Sequence, residues 1–562
     1  MKESRFQRVK GEAMERVWED KWPEQEPFLP PVPEKPIFHN LRHWAERAPD
    51  RVAIVYYGRE ITYRELDEAS DALAAALAEM GVEKGDRVGL YMENCPQFVM
   101  AYYGILKAGG VAVACSPMFK EDELRYELQD AGVKVLFIEE SLYPTFEKVR
   151  GDTPVRELVS TAFLDYLPEE PSIPLHPTMS TEKNPPPQSR EFLELVKNGK
   201  AGPREVEVGL KDLAMLQYTA GTTGYPKGAM LTHANLAWHG AAIRHIYRYS
   251  SEDVHIIVLP LFHITGLDIC MNPALAAGGK IVLFTRFDLA ATLEAIMRYK
   301  ATVWVTIAPI NMAVTFLPNV SEYDFSSLRY VISGGAPVPL DIHAKWEEVT
   351  GTKIYEGYGL SEATGGIIGN THSIHRPGTV GCPLYWLDIK VTDPDDEERE
   401  LGFDEEGELW VKGPYVMKGY WQAPEQTAQV LSGDGWLRTG DIAKVSGEGV
   451  VTIVGRRKEM IKVSGYTVFL AEIDNFLYRH PAVAEATTIG ARHPYRGEEP
   501  VAVVVLKPEY RGKVTEEEFI DWCREKMSAY KYPRRVVFVD SLPKSGAGKI
   551  LRRVVQEKYS ED

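Results

Sequence analysis

Apolar and polar positions along this chain fall in blocks that switch between a period of two and a period near 3.6. Val52 to Tyr57 (VAIVYY) is a short apolar run that predicts a strand. From Tyr63 to Met80 the apolar positions fall on Leu66, Ala69, Leu73 and Leu77, one face of a helix, with Gly81 as its stop. Arg87 to Met92, a helix from Pro96 to Ala108, and Val111 to Cys115 repeat the pattern. This is the rhythm of a parallel sheet covered by helices. A second series runs through HIIVLPLF, KIVLF, TVWVTIAP and YVISGG. Two series predict two related α/β layers packed together.

The rhythm breaks twice. Leu167 to Gln188 turns to Pro, Ser, Thr and Glu, includes Pro185, Pro186 and Pro187, and has no period. It is expected to be an exposed insertion outside the core. After about Gly378, short strands such as WLDIKVTD and GELWVKG are separated by Gly/Asp turns, which predicts a small β-rich subdomain over about 378–455. A final unit holds a helix from Thr515 to Ser528, a strand from Arg535 to Val539 and a basic tail. Charge clusters at GRRKE, Gly455 to Glu459, and marks a joint between the two regions.

Length and composition narrow the class. At 562 residues the chain exceeds one hydrophobic core, so roughly three or four core-sized units are expected. A net charge of -17 argues against general nucleic-acid binding. The five cysteines (Cys95, Cys115, Cys270, Cys382, Cys523) are scattered without a CxxC or a His at metal spacing, and read as reduced thiols. Cys382, beside a candidate site, is the one expected to be accessible. The segment MKESRFQRVKGEAMERVWEDKW is charged and lacks the apolar centre of a signal peptide. No uncharged apolar run reaches the ~18 residues of a membrane span. A soluble, cytoplasmic protein is expected.

The richest chemistry lies in Leu216 to His233, LQYTAGTTGYPKGAMLTH. Gly221 and Gly224 let backbone approach an anion, Thr219, Thr222 and Thr223 add hydroxyls, and Lys227 adds charge, a set suited to a polyphosphate. It is not a Walker loop, because Pro226 precedes Lys227 and Gly228 follows it. Taken alone, such a turn is more often a surface loop. In YEGYGLSEATG, Glu362 offers a hard carboxylate for Mg²⁺ and Ser361 a donor for phosphate. Tyr358, between Gly357 and Gly359, could stack on adenine. In GWLRTGDIA, Asp441 follows a Thr-Gly turn, where a carboxylate can accept from both ribose hydroxyls; a lone TGD is more often a β-turn.

The order T-A-G-T-T-G-x-P-K-G resembles the phosphate-binding signature of adenylate-forming enzymes, the superfamily of acyl-CoA synthetases, firefly luciferase and nonribosomal-peptide adenylation domains. Further stretches match in order: LPLFHITGL, SGGAPV, YEGYGLSEATG, GWLRTGDIA, GRRKEMIKVSGYTV and PKSGAGKILRR. The resemblance spans about Phe38 to Arg553 and lies nearest the fatty-acyl-CoA ligases. It implies an α/β fold: a large N-terminal domain of two α/β layers with a small β-rich subdomain, and a smaller α+β C-terminal domain joined by a hinge. The boundaries read as an N-terminal extension over 1–37, the large domain over 38–455, a hinge over 456–458 pivoting at Lys458, and a mobile domain over 459–562.

The same resemblance implies roles. His263 lines the carboxylate pocket and Gly266 leaves room for an acyl chain. Gly335, Ala336 and Pro337, with Glu356, Gly357, Tyr358, Gly359 and Ser361, surround the adenine and acyl groups. Glu362 and Thr219 hold Mg²⁺, Asp441 the ribose, and Arg456 the ribose or phosphate. Gly465 borders the pantetheine channel of coenzyme A. Lys549 neutralises charge between the α-phosphate and the attacking carboxylate. Departures are Ala220 for the usual Ser, Ser361 for Thr, Thr467 for Gln, Leu470 for Pro, and Lys544-Ser545 for Arg-Thr. Asp268 follows the His segment in a register that does not suit an amino-acid activator. The implied reaction is ATP-dependent activation of a small-molecule carboxylic acid, first a medium- or long-chain fatty acid, through an acyl-adenylate to acyl-CoA. Aryl or short hydroxy acids, and loading of a carrier protein, are the alternatives; a homodimer is one expectation for assembly. Asp540-Ser541-Leu542 resembles a carrier attachment site but lacks its preceding glycine.

Overall fold

The structure is a computed structural model that describes residues 14, 16–23, 29–179, 182–199, 206–219, 226–463, 466–493, 496–544 and 549–560. Its first long helix shows how local sequence sets the frame. Thr62 accepts from the Glu65 amide while Glu65 reaches back to the Thr62 amide, a capping box that starts the helix Tyr63–Glu79. Leu66, Ala69, Leu73 and Leu77 are buried, and the chain turns away at Gly81, whose φ is +79°. This helix packs on Pro96–Lys107 at Gly104, where an added Cβ would stand 2.9 Å from Leu73 Cβ. The glycine lets the two backbones approach.

Seven strands form the first sheet, in the order Arg190–Glu191, Glu157–Thr161, Val133–Glu139, Arg87–Tyr91, Val111–Cys115, Leu213–Thr219 and Lys227–Thr232. Every pair is parallel except the last, an antiparallel hairpin. The second sheet has nine strands and runs from Cys382–Pro383 through Gly365–Gly369, Ile354–Leu360, Tyr330–Ser333, Val303–Thr306, Val254–Ile257 and Lys280–Leu283 to Val52–Tyr56 and Arg59–Thr62. The two layers are therefore not the two halves of the chain. Val52–Tyr56 pairs in parallel with Lys280–Leu283, so the first strand of the first series belongs to the second sheet. One apolar core joins both layers, with Ile54 and Val282 in the same cluster as Val88 and Leu90.

Asp388–Thr392, Glu406–Lys412, Leu437–Val445 and Val451–Arg456 make a four-stranded antiparallel sheet. The last sheet contains Met460–Val463, Tyr466–Phe469, Val483–His493 and Gly497–Leu506, with Arg535–Phe538 alongside. Its apolar side chains form clusters of their own, apart from the large core.

Two expectations are corrected. The proline-rich stretch is not wholly outside the core: Ile173 and Met179 are buried in the large cluster, and the Ser172 amide donates to the Tyr57 carbonyl. Cys382 is not accessible either; all five cysteines are free and buried, Cys382 because the segment 17–22 packs over the short strand Cys382–Pro383, with the Trp22 indole donating to the Pro383 carbonyl at 2.9 Å. Among the described residues, no helix is long and apolar enough to cross a membrane.

Candidate active site

The lysine of the Gly/Thr-rich stretch is fixed by strand pairing. Thr219 and Lys227 are register partners at the connected end of the hairpin, and Gly221, Thr222, Thr223 and Gly224 lie between them in the chain, outside the described residues. The other edge of Lys227–Thr232 is taken by a distant segment. The Trp421 amide donates to the Gly228 carbonyl, the Met230 amide to Gly419, and the Lys418 amide to Met230. The same segment reaches Glu362, because the Met417 amide donates to its carbonyl at 2.8 Å. Tyr420 then bridges the two stretches: its hydroxyl donates to Glu362 Oε1 at 2.8 Å and its ring lies 4.9 Å from Lys227 Nζ. No sequence motif pointed to Tyr420, because its partners lie in two other segments.

Glu362 sits in a short turn, Ser361–Ala363, that follows the strand Ile354–Leu360. Its second carboxylate oxygen has no hydrogen-bond partner among the described residues, which leaves a hard donor for a cation. Among the described residues, no group of three or more His, Cys, Asp or Glu could hold a metal ion. Mg²⁺ is commonly bound through one or two carboxylates, with phosphate oxygens and water as its other ligands. Gly359 is glycine for a reason internal to the sheet: a Cβ there would meet the Gly365 carbonyl at 1.7 Å.

Sheet pairing assembles the next group. Asp441 and Arg456 are register partners in adjacent antiparallel strands, and Arg456 Nε lies 3.3 Å from Asp441 Oδ1. The Tyr358 hydroxyl donates to Asp441 Oδ2 at 2.6 Å. Burial, then the Asp441 charge, pushes the Tyr358 phenol well above its ordinary pKa, so it stays a donor.

Lys549 arrives from the C-terminal region. Gly335 has φ +82°, and a Cβ placed on it would stand 3.1 Å from Lys549 Cε and 3.7 Å from Lys549 Nζ. Gly335, Ala336 and Pro337 form an exposed rim beneath that side chain. Desolvation, then the Arg456 charge, lowers the Lys549 pKa, while Asp441 and Glu362 act in the opposite direction. The residue keeps solvent access, yet the walls around its ammonium remove enough water to matter. His263 is held down to about 4 by burial and then by the charge of Lys549. It is neutral at neutral pH, and the Thr265 amide donates to its Nδ1, so the ring proton sits on Nε2. These contacts and charge interactions link residues 227, 263, 335, 358, 362, 441, 456 and 549 into one neighbourhood.

Other residues take different places. Glu356 is not available to a ligand: its carboxylate accepts from the Val338 and Gly378 amides and from His343 Nε2, and its carbonyl accepts from Asn370. It braces the turn behind Gly335–Pro337. Gly266 does not make acyl room in the expected way, because a Cβ there would strike the Pro260 carbonyl oxygen at 2.1 Å. Asp268 is fully buried, with His239 Nδ1 at 3.0 Å and Asn272 Nδ2 at 2.6 Å. Ser361 and Gly357 line the Glu362 turn and its strand, whereas Gly465 and Gly548 lie outside the described residues. Lys458 is in the short turn Arg457–Glu459 between the last two sheets.

A family model described as AMP-binding enzyme matches residues 41–421, and one described as AMP-binding enzyme C-terminal domain matches residues 472–549. The chain is 37% identical to a long-chain-fatty-acid–CoA ligase of Bacillus subtilis, over 98% of its own length and 99% of that protein. It is 36% identical to a long-chain-fatty-acid–CoA ligase of Yersinia pestis, over 97% and 98% of the two chains. Its fold is similar to ATP-bound MatB from Rhodopseudomonas palustris, with a TM-score of 0.83 and 29% identity over 94% of this chain and 99% of that one. Full-length similarity of this kind, together with a cleft in which Glu362, Asp441, Arg456 and Lys549 meet, places the chain in the AMP-binding, adenylate-forming family of AMP-forming acid–CoA ligases.

Proposed function

We propose that this chain is a fatty-acid–CoA ligase that forms a fatty acyl-adenylate from ATP and passes the acyl group to coenzyme A. The observation that carries the reading is the approach of Lys549 to Gly335 above Glu362, Asp441 and Arg456. In the first step a carboxylate oxygen attacks the α-phosphorus of ATP, and the bond to pyrophosphate breaks. Negative groups converge there, and fixed positive charge is the main means of lowering such a barrier. Lys549 supplies it at the cleft and Lys227 at the hairpin. Asp441 and Tyr358 hold the ribose side, with Arg456 beside them. Neutral His263 offers Nε2–H to the acid without adding charge. Mg²⁺, held by Glu362 with Thr219 nearby, would neutralise phosphate oxygens when bound.

In the second step the CoA sulfur attacks the acyl carbon and AMP leaves. Lys549 has to withdraw for this, with Lys458 as the pivot and the Gly465 loop brought to the thiol. The fatty acid is supported by the two ligases named above. An amino acid is disfavoured by Asp268, whose carboxyl is spent on His239 and Asn272 and cannot receive a substrate ammonium.

The test is pyrophosphate release across a panel of fatty, aryl, hydroxy and amino acids, with and without CoA. Release that depends on a fatty acid and is raised by CoA, with acyl-CoA and AMP as products, is expected. Preference for an aryl or hydroxy acid refutes the fatty-acid assignment. Release without thioester formation redirects the second step to a carrier protein.

A further inference from the structure

Two opposite charges of the cleft bracket a single tyrosine. Tyr420 is 8% exposed, its hydroxyl donates to Glu362 Oε1 at 2.8 Å, and Lys227 Nζ lies 4.9 Å from its ring centroid. The backbone on both sides is stitched down: Lys418, Gly419 and Trp421 bond to Gly228 and Met230, and Met417 bonds to Glu362 itself. The Tyr420 amide donates to Thr427 Oγ1, and the Trp421 indole donates to the Asp130 carbonyl. This is more anchoring than a surface tyrosine needs.

We infer that Tyr420 is a positioning residue that fixes the carboxylate of Glu362 for a divalent cation and keeps Lys227 from occupying that place. The inference rests on reading Glu362 as the metal-holding carboxylate. With one oxygen of Glu362 tied to a phenol, the other is presented in a fixed direction, and such outer partners commonly contribute roughly 10–100-fold to metal affinity. The ring supplies the second half of the device. A lysine on an aromatic face is held by cation–π attraction, which limits its rotamers. Without the ring, Lys227 and Glu362 would be free to form a direct ion pair and close the cation position.

The test uses the full chain and α,β-methylene-ATP, whose hydrolysis-resistant bridge allows binding to be read apart from turnover. Thermal stabilisation by the analogue is titrated with Mg²⁺ for wild type, Tyr420→Phe, Tyr420→Leu and Glu362→Gln. The melting shift is measured within each variant, so general loss of stability cancels. Tyr420→Phe should raise the Mg²⁺ concentration for half-maximal stabilisation by roughly ten-fold or more, and the Mg²⁺ requirement of pyrophosphate release by a similar factor. Tyr420→Leu, which removes the ring as well as the hydroxyl, should raise it further. A Tyr420→Phe with wild-type Mg²⁺ dependence overturns the inference, and a Tyr420→Leu no worse than Tyr420→Phe overturns the part assigned to the ring. If Glu362→Gln also keeps wild-type dependence, the metal reading of Glu362 fails with it; if only Glu362→Gln loses dependence, the metal reading survives without Tyr420.

Discussion

Gly335→Ala perturbs the cleft in a way whose size follows from the structure. Gly335 has φ +82°, where an L side chain costs about 1–2 kcal/mol. The new Cβ would also stand 3.1 Å from Lys549 Cε, inside comfortable contact distance. The far end of a lysine can give way by a few tenths of an ångström, so the fold survives. The chemistry should suffer more, because misplacing a reacting group by about 1 Å costs roughly 100-fold and a few tenths of an ångström a part of that. Pyrophosphate release is therefore expected to fall roughly 3- to 10-fold, while thioester formation from supplied acyl-adenylate falls less. The assay is a double-mutant cycle with Lys549→Ala, which alone should cost roughly 100- to 1,000-fold in adenylation. If Gly335 acts by placing Lys549, the two losses overlap and the double variant is little worse than Lys549→Ala. Fully additive losses, or a Gly335→Ala as active as wild type, would refute the placement of Lys549 over this glycine.

The remaining predictions concern acid stability, the buried pair and the pivot. His263 has its pKa lowered to about 4, so between about pH 4 and 6.5 the folded state binds fewer protons than the unfolded chain. Stability contributed by neutral His263 is present above pH 6.5 and is lost as pH falls toward 4, by at most ~3 kcal/mol. Urea midpoints across that window should climb with pH, and His263→Gln should flatten the slope; an unchanged slope would refute it. Asp268→Ala leaves His239 Nδ1 and Asn272 Nδ2 buried without their partner, and should cost about 1–3 kcal/mol with a clear drop in melting temperature. A near-neutral result would show that the Asp268 carboxyl does not hold these two side chains in place. Lys458→Pro should slow thioester formation more than adenylation, measured as separate half-reactions; equal effects would remove Lys458 from the pivot.

The sequence by itself determined the elements and the chemical inventory. Helix periodicity and capping at Thr62 fixed Tyr63–Glu79, and the ordered motifs carried the candidate phosphate, ribose and acid-activating residues. These features are local: a cap, an amphipathic face or a glycine turn depends on residues a few positions apart. Only the tertiary structure decided which residues meet. Tyr358 reaches Asp441 across 83 positions and Tyr420 reaches Glu362 across 58, through strand pairings that no short pattern encodes. The same long-range packing moved Val52–Tyr56 into the second sheet, drew Ile173 and Met179 into the core, and turned Glu356 from a candidate ligand into a brace. Gly266 is glycine because the Pro260 carbonyl passes beside it. A residue type limits the chemistry its side chain can do; packing supplies the partner, and the partner sets which of those roles it performs.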